Sequence, residues 1–477
     1  MPTRPDYRPA TTHATLGDEF FDRVQAAAFP KHLLRHRNQR WAARVGLDTL
    51  TDAEWLAHFG GFEPMPGSFP QPLALRYHGH QFRSYNPDLG DGRGFLFAQL
   101  HDLADGRLLD FGTKGSGQTP WSRTADGRLT LKGGMREVLA TEMLEALGVY
   151  TSKSFSLIET GEDLVRGDEP SPTRASVLVR LSHSHIRIGS FQRFAYLDQP
   201  DNVMRLLDYS IRTYLPEAWR DDPAERAAAF LADVTGRVAR LGAQWMAAGF
   251  VHGVLNTDNI NITGESFDYG PWRFLPSYDP EFTAAYFDHN GLYAYGRQPD
   301  TLLWNLVRLA ECLLPLSTKA ALEAALQRFA PQFQRALDLA VLRRLGLTPV
   351  SEAQDAALAQ LWWGFLNASR VSFEQAFFDW HGGLRSAVRA DGGPAAQHYK
   401  HPAFVPVREA LQDYAPALGV KLDHPYFAGL HPCTMLIEEV EALWTPIAEQ
   451  DDWSLFTAKL GAIAAMADAY GILPSAA

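Results

Sequence analysis

The sequence predicts an α+β protein of two lobes, the first with a mixed antiparallel sheet and the second mainly helical. The first half alternates short apolar runs with glycine-rich turns, whereas the second half carries apolar residues at spacings of three and four. A chain of 477 residues with 46% hydrophobic residues can form more than one core. We divide it into an N-terminal extension (1–74), an N-lobe (75–195) and a helical C-lobe (196–477).

The N-lobe contains patterns for strands around one helix. "GRGFLFAQLHD" and "RLLDFGTKG" predict two strands joined by a turn, and "SKSFSLIET" and "RASVLVRLSHS" predict two more. Between these pairs, "MREVLATEMLEALG" has apolar residues at helical spacing and ends at Gly148. We therefore expect a small antiparallel sheet with one inserted helix. The Pro- and Gly-rich stretch 59–72 is the best candidate for a loose connector.

The C-lobe shows helical periodicity over most of its length. One apolar face recurs at spacings of three and four, formed by Phe230, Val234, Val238, Leu241 and Trp245. This helix is expected to end near Gly249. Further helices are predicted at about 299–315, 317–345, 352–368, 402–417, 434–448 and 453–471.

Composition and charge exclude several classes of protein. The formal net charge of -11 argues against a general nucleic-acid binder, which needs a basic surplus. No run of about eighteen apolar residues predicts a membrane span, and the first residues lack the apolar core of a signal peptide. Cys312 and Cys433 form no C-x-x-C motif, so a cysteine-zinc site is not indicated. We expect a cytoplasmic protein with reduced thiols.

Two glycine-rich stretches carry basic residues. "LGDGRG" contains Gly90, Gly92 and Arg93, and "GTKGSG" contains Lys114. Glycines let the backbone approach phosphates, and the cations supply opposing charge, although neither stretch is a Walker A motif. Each stretch alone is equally well interpreted as a hairpin turn. Together, flanking neighbouring strands, they favour phosphate binding.

Three further charged residues fit a kinase-like nucleotide site. Glu137 follows Lys114 by 23 residues, early in the predicted helix, as in the lysine–glutamate pair of kinases. Arg180 and Arg187 stand seven apart, and arginine forks match phosphate oxygens well. An exposed surface position is the simpler interpretation of each residue taken singly.

Other reactive residue types give weaker signals. Two H-x-H pairs, His78 with His80 and His183 with His185, lack a further ligand motif, so we interpret all four as structural. Cysteine is scarce and no G-x-S-x-G occurs, so a nucleophilic triad is not indicated.

The most informative stretch is "HGVLNTDN", residues 252–259, followed by "DYG" at Asp268. Kinases have H-R-D-x-x-x-x-N and then D-F-G, but Val254 stands where they keep the catalytic aspartate. Asn259 and Asp268 both offer oxygen ligands to a divalent cation that bridges phosphates. The intervening "INITGESF" is predicted to be a short hairpin that brings them together. An asparagine-rich turn without function is the alternative.

Six motifs in order identify the chain as similar to the selenoprotein O family across about 75–315. They are "LGDGRG", "KGSGQTPWSRTADGR", "MREVLATE", "HGVLNTDN", "DYGPWRFL" and "WNLVRLAE". The resemblance implies a protein-kinase-like two-lobed fold of the pseudokinase kind that binds ATP in reversed orientation. It also implies transfer of AMP to Ser, Thr or Tyr hydroxyls of target proteins, with Mg²⁺ or Mn²⁺.

The resemblance also assigns roles to residues. Asp258 would accept the proton, Asn259 and Asp268 would bind the metal, and Glu137 would orient Lys114. The nucleotide would be held by Gly90, Gly92, Arg93, Lys114, Asp126, Gly127, Arg180, Arg187 and Asp268.

Two other functions compete with adenylyl transfer. A kinase-like phosphotransferase would pass on the terminal phosphoryl group, but Val254 counts against it because the usual base is missing. A non-catalytic ATP-binding scaffold has less need of a complete metal site, so Asn259 and Asp268 count against that alternative.

Overall fold

The computed structural model describes residues 4–167 and 169–472. Residues 1–3, part of the stretch in which we expect no signal peptide, and the last residues of the predicted C-lobe lie outside this range. The strands are β1 (Pro9–Ala10), β2 (Phe21–Arg23), β3 (Leu33–Arg37), β4 (Leu73–Leu75), β5 (Gly79–Gln81), β6 (Ser84–Asn86), β7 (Leu96–His101), β8 (Leu108–Lys114), β9 (Leu129–Thr130), β10 (Lys153–Leu164), β11 (Thr173–Ser182), β12 (Phe250–Val251) and β13 (Arg273–Phe274). The α-helices are α1 (Gln39–Arg44), α2 (Asp52–Phe59), α3 (Leu131–Ala146), α4 (Ile188–Tyr196), α5 (Pro200–Tyr214), α6 (Pro223–Ala247), α7 (Gln298–Leu313), α8 (Lys319–Leu326), α9 (Phe329–Arg344), α10 (Glu352–Ser369), α11 (Phe373–Trp380), α12 (Ala387–Gly392), α13 (Val405–Ala410), α14 (Ile437–Gln450) and α15 (Ser454–Ala469).

The first lobe is an antiparallel sheet of nine strands. Its main order is β2-β4-β7-β8-β11-β10-β3, with β1 paired to β7 and β9 to β11. The four strands predicted from sequence lie in its centre. Strands β1, β2 and β3, which precede residue 75, extend this sheet, and the two-lobed α+β prediction is confirmed.

The two faces of the sheet have different coverings. Alternation in β11 directs Val177 and Val179 into an aromatic cluster with helices α1 and α2, whereas Leu178 points to the opposite face and α3. Within the stretch 59–72, Phe62 and Met65 are buried in that aromatic cluster. The interpretation of this stretch as a loose connector is therefore wrong, because its apolar residues anchor it to the sheet.

Helix α3 is the inserted helix of the first lobe, and its start is well defined. The Thr130 side chain caps it by accepting a hydrogen bond from the Gly133 amide at 3.1 Å. Buried residues such as Met135 and Val138 pack with Leu157 and Leu178 of the sheet. The helix therefore presents Glu137 towards the end of β8 from a fixed position.

The second lobe is organised around α6, whose predicted apolar face is fully buried. The helix predicted at 317–345 is divided into α8 and α9, because Pro331 lacks an amide hydrogen and favours the first turn of a new helix. The helix predicted at 402–417 is reduced to α13, flanked by single 3₁₀ turns. Over residues 4–167 and 169–472, no helix combines the length and the apolar character needed to cross a bilayer.

Candidate functional site

The register of two central strands places Lys114 and Arg180 on one face of the sheet. Lys114 pairs with Leu178, and Gly112 pairs with Arg180. Because side chains two residues apart in a strand share a face, Lys114 and Arg180 both point towards the cleft between the lobes. Both side chains are almost completely buried.

Helix α3 supplies the counter-charge for Lys114. The Lys114 ammonium forms an ion pair with Glu137, which is 1% exposed. The other Glu137 oxygen has no hydrogen-bond partner within the described part of the chain. The lysine–glutamate pair of kinases is therefore present in this structure.

Asp268 joins the two lobes across the cleft. Its Oδ1 atom lies 2.8 Å from Lys114 Nζ and 3.2 Å from Arg180 Nη1. Burial alone would raise the pKa of this carboxyl, but the charges of Lys114, Arg180 and Arg187 outweigh burial and hold the pKa well below its usual value. The side chain keeps a quarter of its surface exposed, so a ligand can reach it.

The loop 252–259 is fixed by its own buried hydrogen bonds. His252 Nε2 donates to the carbonyl of Phe267 at 3.0 Å, and Asn259 Nδ2 donates to the carbonyl of Val254 at 2.9 Å. The segment 260–267 does not form the predicted hairpin. Asn261 instead forms an antiparallel β-bridge with Arg187, so this segment pairs with the chain just before α4 and not with itself.

Asp258 has the properties of a proton acceptor. Burial raises the pKa of its carboxyl to about 7, and the nearby Arg187 opposes this shift. Its Oδ1 atom has no partner within the described residues. A base with a pKa near neutral pH is well matched to taking a proton from a hydroxyl group.

The side chains of Asn259 and Asp268 offer the kind of oxygen donor that a divalent cation prefers. Asn259 Oδ1 is buried without a hydrogen-bond partner among the described residues, and Asp268 stays ionised. Oxygen donors of this kind suit Mg²⁺ and Mn²⁺. Among residues 4–167 and 169–472, no group of three or more His, Cys, Asp and Glu side chains is arranged to hold a metal. A divalent cation would therefore need Asn259 and Asp268 together with oxygens of the substrate phosphates.

Arg187 connects the glycine-rich loop to the loop of Asp258. Its guanidinium donates to Asp91 Oδ1 and to the Asp258 carbonyl, each at 3.2 Å, and lies over the rings of Tyr77 and Phe267. The sequence motifs did not single out Asp91 for this function. A carboxylate inside a glycine-rich, otherwise phosphate-binding stretch was the only available signal.

Backbone hydrogen bonds join the two glycine-rich stretches to each other and to the neighbouring segment 126–128. The Gly115 amide donates to the Arg93 carbonyl at 2.6 Å, and the Gly117 amide donates to the Gly127 carbonyl at 3.1 Å. A side chain at Gly90 or Gly92 would collide with Trp121, so these two glycines are needed for packing in addition to any contact with phosphate.

A cavity of about 340 Å³ opens beside these stretches. Its basic lining residues are Arg93, Lys114, Arg128, Arg136 and Arg166. Asp126, which is predicted to help hold the nucleotide, is exposed and forms an ion pair with Arg166 at 2.8 Å. Two of these arginines have no carboxylate partner among the described residues, namely Arg93 and Arg136, and can meet an anionic ligand.

The four histidines of the H-x-H pairs all contact protein groups. Hydrogen bonds join His78 to Tyr85, His80 to Gln192, and His183 to Tyr150. The His185 amide donates to buried Asp110 at 2.9 Å, and its ring fills the space above Gly112.

Replacing Gly112 by alanine is expected to lower the free energy of unfolding by roughly 1–3 kcal/mol. A Cβ atom at this position would lie 2.0 Å from His185 Nε2 and would displace the ring. Urea unfolding measures the effect. Gly364→Ala is the control, because nothing lies within 4 Å of the corresponding Cβ position. Equal stability of the two variants would contradict the packing role of His185.

Known proteins match the sequence of this chain along nearly its whole length. A family model described as "Protein adenylyltransferase SelO" matches residues 5–464. The "Protein nucleotidyltransferase YdiU" of Gloeobacter violaceus is 46% identical over 471 residues, covering 96% of this chain and 94% of that protein. The protein of the same name from Synechococcus elongatus is 45% identical over 472 residues, covering 95% of this chain and 94% of that protein.

Proposed function

Because the chain belongs to the protein adenylyltransferase SelO family, it is an enzyme that transfers AMP from ATP to proteins, and we propose that the acceptors are Ser, Thr or Tyr hydroxyls. We further propose that Asp258 is the catalytic base and that Asn259 and Asp268 hold Mg²⁺ or Mn²⁺. The observation that carries this proposal is the position of Asp258, which is buried, close to Asp268 and without a partner for Oδ1. We expect cytoplasmic protein targets and no part for nucleic acid or membrane.

The transfer step balances around the α-phosphorus of ATP. The Asp258 carboxylate accepts the proton of the acceptor hydroxyl, whose oxygen forms a new bond to the α-phosphorus. The bond from that phosphorus to the bridging oxygen breaks, and pyrophosphate leaves. Lys114, Arg180 and Arg187 offset the negative charge that grows on the leaving group. A divalent cation, when bound, would add Lewis-acid stabilisation of the phosphate oxygens.

The cavity supports a reversed nucleotide. Attack on the α-phosphorus needs that atom near Asp258. The adenosine and the pyrophosphate are bonded to different oxygens of this phosphorus, so they extend from it in different directions. The cavity lined by Arg93, Lys114 and Arg128 does not reach Arg180 or Arg187. We assign the pyrophosphate to Lys114, which lines this cavity and shares Asp268 Oδ1 with Arg180, and the adenine and ribose to the side of the α-phosphorus away from these cations.

ATP labelled at the α or γ position tests the proposal. We expect protein to acquire label from the α position only, to require added Mg²⁺ or Mn²⁺, and to carry AMP on Ser, Thr or Tyr when peptides are mapped by mass spectrometry. Label from the γ position alone would instead support a phosphotransferase. Tight ATP binding without transfer of either label would support a scaffold.

A further inference from the structure

Three aromatic side chains form an exposed patch beside the loop that carries Asp258. We call Phe82, Tyr286 and Phe287 the aromatic patch. The ring centroids of Phe82 and Phe287 are 5.8 Å apart, and those of Tyr286 and Phe287 are 5.1 Å apart. Tyr286 is 78% exposed and Phe287 is 42% exposed. Side chains in contact at the surface form a continuous apolar area, and aromatic side chains of this kind are enriched at protein interfaces.

Hydrogen bonds hold the aromatic patch to the loop 252–259. The Phe82 amide donates to Asn256 Oδ1 at 3.2 Å and to the Tyr293 hydroxyl at 3.1 Å. The Tyr293 hydroxyl in turn donates to Asn256 Oδ1 at 2.7 Å. Phe82 has φ of 50°, a conformation that a bulky residue keeps only where its surroundings enforce it. The tip of the β5–β6 hairpin is therefore held in place by the loop 252–259.

The same hairpin also contacts Asp258. A Cβ atom added to Gly79 would lie 2.8 Å from Asp258 Oδ1, and Gln81 ends the same strand, β5. Phe82 follows Gln81 directly in the chain. One short hairpin thus runs from the proposed base to the aromatic patch, and a peptide that reaches Asp258 passes close to both.

We propose that the aromatic patch is the docking surface for the acceptor protein and selects hydroxyls that have an apolar residue nearby in sequence. This inference rests on the proposed role of Asp258. An extended acceptor segment advances roughly 3.3 Å per residue, so an apolar side chain a few residues from the hydroxyl reaches the patch. Arg83 follows Phe82 in the chain, lies over the Trp304 ring and forms no ion pair with a carboxylate among the described residues, which favours an acidic neighbour in the acceptor.

A peptide library with a fixed central Ser, Thr or Tyr and varied neighbours tests this surface with α-labelled ATP. We expect the wild-type enzyme to prefer an apolar residue at a fixed offset and an acidic residue close to it. In the double variant Phe82→Ala, Phe287→Ala, kcat/KM for preferred peptides is expected to fall about 10- to 100-fold, the loss that follows from two aromatic contacts. Peptides without apolar neighbours are expected to react at an unchanged rate.

Three further measurements keep the test decisive. Tyr286→Ala is the milder variant, because so exposed a side chain contributes little to folding, and it is expected to weaken the same preference. Arg83→Glu is expected to change the preferred charged neighbour from acidic to basic. Leu418→Ala, at another fully exposed apolar residue, is the matched control and is expected to change nothing.

The outcomes separate this inference from the proposed function. Transfer by the wild type without any apolar preference, or a preference that survives in the double variant, would overturn the docking surface alone. Failure of the wild type to modify any hydroxyl peptide would overturn it together with the proposed acceptor chemistry. A wild-type dimer in light scattering that the double variant dissociates would show that a second copy covers the patch, and would also overturn it.

Discussion

Replacing Asp258 by asparagine is expected to reduce the rate of AMP transfer by about 10²- to 10⁴-fold while ATP still binds. Asparagine keeps the size and shape of the side chain but cannot accept a proton. The hydrogen bond from Arg187 goes to the Asp258 carbonyl and does not depend on the carboxylate. Single-turnover transfer of α-labelled AMP measures the rate, and titration with ATP measures binding.

The same variant separates catalysis from folding. Because burial raises the pKa of Asp258 to about 7, its ionised form is costly to keep in the folded protein above that pH. The neutral asparagine is therefore expected to leave Tm unchanged or higher at pH 8 without nucleotide or metal. Asp413→Asn, at an exposed carboxylate, is the control for loss of one charge. Full transfer activity in Asp258→Asn would rule out the proposed base.

The parts of the site that lie on regular elements were predictable from local pattern. Alternation along β8 and β11 directs Lys114 and Arg180 to one face, and helical periodicity places Glu137 opposite them. The spacing of Asn259 and Asp268 also follows directly from the chain. Their functional roles stay predictions, because contact alone does not distinguish a metal ligand from a structural oxygen.

The remaining features depend on contacts between distant segments, which leave no periodic signal. Asp91 meets Arg187 across 96 positions of sequence, and Phe82 meets Asn256 across 174. Strands β1 to β3 were missed because they are short and are recruited by the edges of a sheet formed elsewhere. Such pairings are decided by tertiary packing, so the sequence indicates the residues without indicating their partners.

Asp268→Asn is expected to lower AMP transfer by about 10³-fold or more and to abolish the gain in ATP affinity that Mg²⁺ or Mn²⁺ provides. Asp268 is the carboxylate that faces three cations, Lys114, Arg180 and Arg187. Its removal leaves these cations with one negative charge fewer, so the site should attract metal-free ATP more strongly than before. ATP titrations with EDTA and with added metal measure both effects.

Asp91→Asn provides the matched control, because it also removes one negative charge beside Arg187 without touching the proposed metal ligands. It is expected to strengthen binding of metal-free ATP modestly and to keep the response to metal. If Asp268→Asn and Asp91→Asn responded to metal alike, Asp268 would be a counter-ion for the arginines and not a metal ligand. Loss of the metal response in Asp268→Asn alone would tie the cation to this carboxylate, since both variants change the net charge of the cleft equally.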